Sequence, residues 1–321
     1  MDAALYLADL EAKPEALFAL ADAWDGGDLL GGVPLDVRRV VFLGMGSSRY
    51  AAGVAALRLR VAGIDAVAEY ASAAGGYPAD ASTLVVAISA SGGSRETLDA
   101  VARYRGRSRV VAVTNQVESA VAEGADVVAP MLAGAENGGV ACRTFQHTLA
   151  LLLGLVDRLT GTGGDISGLV RRVAEASADL LDRRGAWLDQ AISLLDGPHG
   201  VYTIAPAERL SSAQQSALMF REGPRRQADA CETGDWSHVD VYLTKTYDYR
   251  ALFFPGSRYD DQAMEWIRQR ESTVLTVGGE LPGQKASIRY RHDDDPDVAL
   301  LTETLIAELI AASFWQRSPV G

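Results

Sequence analysis

Short apolar runs followed by stretches of helical periodicity recur along the chain. Val40 to Leu43 is apolar and ends in Gly44, and an alanine-rich segment with helical spacing continues to about Val61. Ala66 to Tyr70 is a strand candidate, Leu84 to Ile88 is continuously apolar, Thr97 to Tyr104 has a helical period, and Val110 to Val113 supplies another strand. Strands of this length alternating with helices predict a parallel sheet covered on both faces, the doubly wound α/β arrangement. A helix from about Thr144 through Leu159 closes this half, and Gly161, Gly163 and Gly164 break the pattern.

A second α/β pattern starts at Val201. Val201 to Ile204, Arg250 to Phe254 and Thr273 to Val277 are strand candidates, with helices near Ser211 to Glu222, Asp260 to Arg270 and Val298 to Trp315. Ahead of the first strand, Leu7, Leu10, Leu17 and Leu20 mark a helical lead-in that stops at Gly26 and Gly27. Ile166 to Leu195 reads as one long polar-faced helix. The expected organisation is a lead-in over 1–35, one α/β domain over 36–162, a linker helix over 163–196, and a second α/β domain over 197–321.

Composition narrows the partners. The 321 residues carry a formal net charge of −12, which repels nucleic acid and anionic membranes, so an anionic ligand must be caught locally at helix starts and backbone N–H groups. Met1 to Leu10 has no basic region of a signal peptide, and no apolar run is read as reaching the roughly 18 to 20 residues of a membrane span. Cys142 and Cys231 lack metal-type spacing and argue against a disulfide framework, which fits a reducing, cytoplasmic setting. The only lysines are Lys13, Lys245 and Lys285.

Candidate chemistry lies at the strand ends. Leu84 to Ile88 delivers the chain into Ser89, Ala90, Ser91, Gly92, Gly93 and Ser94, where open α/β sheets bind ligands. Hydroxyls, glycines that admit close backbone approach, and a helix start suit a phosphate; a serine-capped helix after a glycine turn accounts for the same residues. Gly44, Met45, Gly46, Ser47 and Ser48 form a second turn able to converge on the same ligand.

These turns, with SASGGSRET over Ser89–Thr97 and AGAENGGVACRTF over Ala133–Phe145, resemble the sugar isomerase (SIS) superfamily, in particular the two-domain isomerase part of glucosamine-6-phosphate synthase, over most of residues 36–316. The resemblance implies two tandem SIS domains. It makes Ser48, Ser89, Ser91 and Ser94 phosphate ligands with Ser47 nearby, sets Gly139 and Ala141 beside the sugar, and gives Glu136 a role in ordering or contacting it. The segment SALMFREGPRRQADACETGDWSH puts Glu222 at the acid/base position and His238 at the ring-opening position. Aldose–ketose isomerisation needs both, a base to carry a proton between C1 and C2 and a group to open the ring. In the synthase this histidine serves the neighbouring subunit, which implies a homodimer. His147, His199 and His292 read as structural.

The pattern also departs from that family. Arg143 and Met219 stand at lysine positions, no amidotransferase segment with an N-terminal cysteine precedes the isomerase part, and Trp315–Gly321 lacks the tail lysine that forms an imine with the ketose; Lys245 reads as a surface residue. The retained residues fit an isomerase or deglycase acting on a ketose or amino-sugar 6-phosphate, with no metal or redox cofactor implied. Two other readings stand beside it. One is ammonia-dependent amination of a ketose phosphate, with a separate glutaminase partner. The other is a non-catalytic sugar-phosphate sensor.

Overall fold

A computed structural model describes residues 1–317; the tail reading falls partly on 318–321, outside the described residues. The lead-in is two helices, α1 (Ala3–Glu11) and α2 (Lys13–Gly26). Asp2 caps α1, its Oδ1 accepting the N–H groups of Ala4 and Leu5 at 2.9 Å each. Pro14 sits in the first turn of α2, where a missing N–H costs no helical bond.

β1 (Arg39–Gly44), α3 (Gly46–Val61), β2 (Asp65–Tyr70), β3 (Thr83–Ile88), α4 (Arg95–Ala102), β4 (Arg109–Thr114), β5 (Val127–Pro130) and α5 (Arg143–Thr160) follow. The five strands pair in parallel in the order β2-β1-β3-β4-β5, with Val41 in register with Val67 on one side and Val85 on the other. Every residue of β3 is buried, as its unbroken apolar run requires of a central strand.

The remainder runs α6 (Ile166–Asp182), α7 (Arg184–Leu195), β6 (Val201–Ala205), α8 (Leu210–Glu222), β7 (Ala228–Glu232), α9 (Thr233–Trp236), β8 (Arg250–Phe253), α10 (Asp260–Gln269), β9 (Thr273–Val277), β10 (Ala286–Ile288), α11 (Pro296–Thr302) and α12 (Thr304–Arg317). Its parallel sheet has the order β10-β9-β8-β6-β7. In both sheets the first strand lies between the second and the third, the doubly wound succession with its switch point beside the first strand. The first sheet belongs to a unit made of Ala16–Ala135 and Arg143–Arg171; the second belongs to a unit made of Met1–Glu15, Glu136–Cys142 and the chain from Arg172 onward.

Three expectations are corrected. The span Ile166–Leu195 is two helices parted at Arg183, whose guanidinium donates to Asp179 at 2.8 Å and to the Arg289 carbonyl at 3.2 Å. The span Val298–Trp315 is also divided, at Glu303, whose carboxylate accepts from Arg209 at 3.0 Å. Pro296–Arg317 is long and apolar enough to cross a membrane, contrary to the sequence reading, but 89% of its most apolar window is buried inside the fold, as in a core helix.

Candidate functional site

The two serine turns sit at the carboxyl ends of β1 and β3, adjacent strands at the switch point of the first sheet. Gly44 lets β1 turn directly into α3, since a Cβ there would lie 2.9 Å from that of Ser48. Ser47 and Ser48 occupy the first turn of α3, whose N-cap, Met45, makes no side-chain hydrogen bond. Ser48 N–H donates to the Met45 carbonyl at 3.2 Å, and no side chain caps the helix start ahead of it, an arrangement suited to an anion. Arg49 follows, its guanidinium 4.4 Å above the Tyr70 ring and its Nε buried without a partner, so a cation stands at the open end. The sequence reading passed over Arg49.

The second turn is organised differently. Ser89 follows directly on β3 and is buried, its N–H donating to the Val113 carbonyl at 3.1 Å and its carbonyl accepting from Gly92 at 3.0 Å. Gly92 has φ +67°, and a Cβ there would fall 1.8 Å from Ser119 Oγ, so packing demands glycine as well as conformation. Ser91 Oγ accepts from Gly93 N–H at 3.4 Å. Ser94 is the N-cap of α4: its Oγ accepts from Thr97 N–H at 3.4 Å and donates to Glu96 at 3.0 Å. Its own N–H and the Ser94 hydroxyl hold the Glu96 carboxyl below its ordinary range, so this helix end already carries a negative group. Of the two turns, the one at Ser47 and Ser48 is the more open to an added anion.

The switch point of the second sheet, beside β6 and β8, is closed to anions by the chain itself. After β8 the N–H groups of Gly256 and Ser257 donate to Asp260 Oδ2 at 2.7 and 3.1 Å, so an internal carboxylate takes the donors that a phosphate would use. A cavity of about 550 Å³ remains there, lined by Glu208, Glu232, Ser257, Arg258 and Tyr259.

Glu222 is the last residue of α8 in that second unit. It is half-buried, and its Oε2 is buried with no hydrogen-bond partner. Burial pushes its carboxyl above the ordinary range; the Arg221 charge works against this and the Glu136 charge adds to it. Glu136 lies in the segment 136–142 of the same unit, its Oε1 accepting from Cys142 N–H at 2.7 Å. Gly139, at φ +76°, and Ala141, whose carbonyl accepts from Gln215 Nε2 at 2.9 Å, belong to this segment too. The structure thus gathers Glu136, Gly139, Ala141 and Glu222 in one unit, whereas Ser47, Ser48, Ser89, Ser91 and Ser94 belong to the other.

His238 follows α9, exposed, its N–H donating to the Asp235 carbonyl at 2.8 Å. The other histidines are bound into the fold: His147 Nδ1 meets the Met131 carbonyl at 2.8 Å, His199 accepts from Asp248 N–H at 3.1 Å, and His292 pairs with Glu175 at 2.7 Å. Lys245 is exposed with its ammonium 5.1 Å from the Tyr242 ring centre. Arg143 is buried and donates to the Ala135 carbonyl.

The sequence reading also missed an ion pair. Lys13 and Glu308 are both 0% exposed and meet at 2.5 Å, with Glu308 Oε1 buried and unpartnered. Beside them Tyr6 is buried and donates to Met219 Sδ at 3.3 Å. The signal was present: Lys13 interrupts the stripe of Leu10, Leu17 and Leu20, and Glu308 interrupts an apolar helix.

Residues 35–157, which hold the whole first sheet and both serine turns, match the family model described as SIS domain. The match is to a SIS domain over that stretch. It is similar to glutamine–fructose-6-phosphate aminotransferase [isomerizing] of Aeropyrum pernix, 33% identical over 219 residues, covering 64% of this chain and 36% of that protein. With the enzyme of the same name from Pyrobaculum aerophilum the identity is 28% over 284 residues, covering 85% of this chain and 47% of that one. The chain therefore spans about a third to a half of these relatives' length. A solved C-terminal domain of glucosamine-fructose-6-phosphate aminotransferase from Francisella tularensis superposes with a TM-score of 0.83 at 17% identity, covering 97% of this chain and 96% of that one, and shares its fold. Both serine turns lie within the matched residues, at the carboxyl ends of β1 and β3.

Proposed function

We propose that this chain is a phosphosugar isomerase or deglycase acting on a ketose or amino-sugar 6-phosphate by proton transfer between C1 and C2. Residues 36–162 and 197–321 are its tandem SIS domains, and the shared strand order of the two sheets supports that reading. Ser47, Ser48, Ser89, Ser91 and Ser94 hold the phosphate, Glu136, Gly139 and Ala141 order the sugar, and Glu222 moves the proton. His238 opens the ring from the partner subunit of a homodimer; its exposure suits a side chain offered to a second chain. The free, buried cysteines suit a cytoplasmic setting.

The observation that carries this reading is Glu222, a half-buried carboxyl with an unpartnered oxygen and a raised pKa. Such a group removes a proton from one carbon of the open-chain sugar, holds it while the enediol forms, and returns it to the neighbouring carbon. An amino-linked ketose phosphate brings its own nitrogen, so the change from lysine to Met219 leaves this route intact.

The test is exchange in deuterated water across a panel of sugar 6-phosphates, read by label at C1 or C2. Wild-type protein is expected to incorporate label, and Glu222→Gln to keep binding while losing turnover at least a hundredfold. Unchanged turnover in Glu222→Gln sinks the assignment. Product formed only with added ammonia turns it toward amination, and tight binding with no exchange toward a sensor.

A further inference from the structure

We propose that Tyr6, carried by the N-terminal helix, is a positioning residue for Glu222: its hydroxyl, parked on the thioether of Met219, is the donor that Glu222 Oε2 takes up when the carboxylate is charged. The inference rests on the acid/base reading of Glu222. Tyr6 is 1% exposed and donates to Met219 Sδ at 3.3 Å, a weak acceptor from which a carboxylate readily draws a hydroxyl. Met219 and Glu222 are three residues apart on α8 and so share a face. Trp315 encloses the same corner, its ring 5.9 Å from that of Tyr6, and a Cβ on Gly223 would meet it at 2.8 Å.

The helix that carries Tyr6 is fixed to the segment that carries Glu136. Asp2 N–H donates to the Gly138 carbonyl at 3.2 Å, and Gly138 N–H to Asp9 Oδ2 at 2.7 Å. A Cβ on Gly138 would lie 2.4 Å from Tyr6 Cα, so the two backbones are in direct contact. The charged and titratable groups around Glu222 are Arg221 on its own helix, Glu136 on the neighbouring segment and Tyr6 on α1, with Cys142, Glu308 and Lys13 around Tyr6 and Glu136. Burial first, and then the charges of Glu308, Cys142, Glu222 and Glu136, hold the Tyr6 hydroxyl well above its ordinary range.

Tyr6→Phe removes the hydroxyl and leaves the ring. The Glu222 carboxyl is titrated by NMR in protein labelled with carbon-13 at glutamate carboxyls, its signal identified by its loss in Glu222→Gln. A donor to the charged form lowers a carboxyl pKa, so Tyr6→Phe is expected to raise the midpoint by about one pH unit. The acidic limb of the kcat profile moves by the same amount, with KM unchanged. Equal midpoints in wild type and Tyr6→Phe overturn the proposal, as does a loss of activity in which KM changes and the limb stays still. Absence of isotope exchange in wild type sinks the C1/C2 reading separately, because the titration needs no turnover.

Discussion

Lys13→Met should show what the buried Lys13–Glu308 pair contributes. Both side chains are 0% exposed, and Glu308 has one oxygen on Lys13 and the other unpartnered. Removing the ammonium leaves a carboxylate in an apolar interior, which costs about 3 to 5 kcal/mol. Glu308 already has its pKa raised by burial, with Lys13 offsetting part of the rise. Without Lys13 the folded-state pKa climbs further above the unfolded value. Between those two values the folded protein binds more protons than the unfolded chain, so stability of the variant falls as pH rises, by at most about 1.4 kcal/mol per unit. Urea unfolding at pH 5 and pH 8 measures this. A Trp24→Phe background confines fluorescence to the unit holding the pair, since the other tryptophans, at 187, 236, 266 and 315, all belong to it. The deficit should be larger at pH 8, and Lys13→Met/Glu308→Met should recover most of it, because an apolar pair of similar volume replaces a buried ion pair at little cost. A loss below about 1 kcal/mol, or one equal at both pH values, would refute the reasoning.

Ser94→Asp keeps a capping oxygen on α4 but adds a negative charge where phosphate is proposed to bind. Stability should change by less than about 1 kcal/mol in thermal unfolding while sugar-phosphate affinity, read by calorimetry, falls at least tenfold. Asp240 is buried and its carboxyl is pushed up to about 6, first by desolvation and then by the Asp229 charge. Its folded pKa exceeds the unfolded value, so the stability it allows at low pH is lost as pH rises from about 4 through 6. Asp240→Asn is accordingly expected to gain about 2 kcal/mol at pH 7.5 and nothing near pH 4 in urea unfolding.

What the sequence revealed follows from what each element faces. β3, buried on both sides between β1 and β4, needs an unbroken apolar run and was legible from it. β5, β7 and β10 escaped notice, and all three are short edge strands of four, five and three residues that carry polar or turn-forming positions. Serine and glycine marked the turns after β1 and β3, but only coordinates reveal that Glu96 occupies one helix start while the other stands open. Lys13 was visible as a charge on an apolar stripe. Its partner lies 295 positions away, beyond the reach of any local pattern.

That separation bears on how the protein is made. The ribosome releases α1 well before α12, yet α1 packs against α12 and Lys13 pairs with Glu308. Residues 16–171 can close their sheet while the rest is still being translated, although 136–142 within that span must wait with α1 for the later strands. Until α12 emerges, the nascent chain holds out a helix whose Tyr6 and Leu10, buried in the finished fold, lack that packing partner. The interval between the release of α1 and that of α12 is the period in which a chaperone would find this protein.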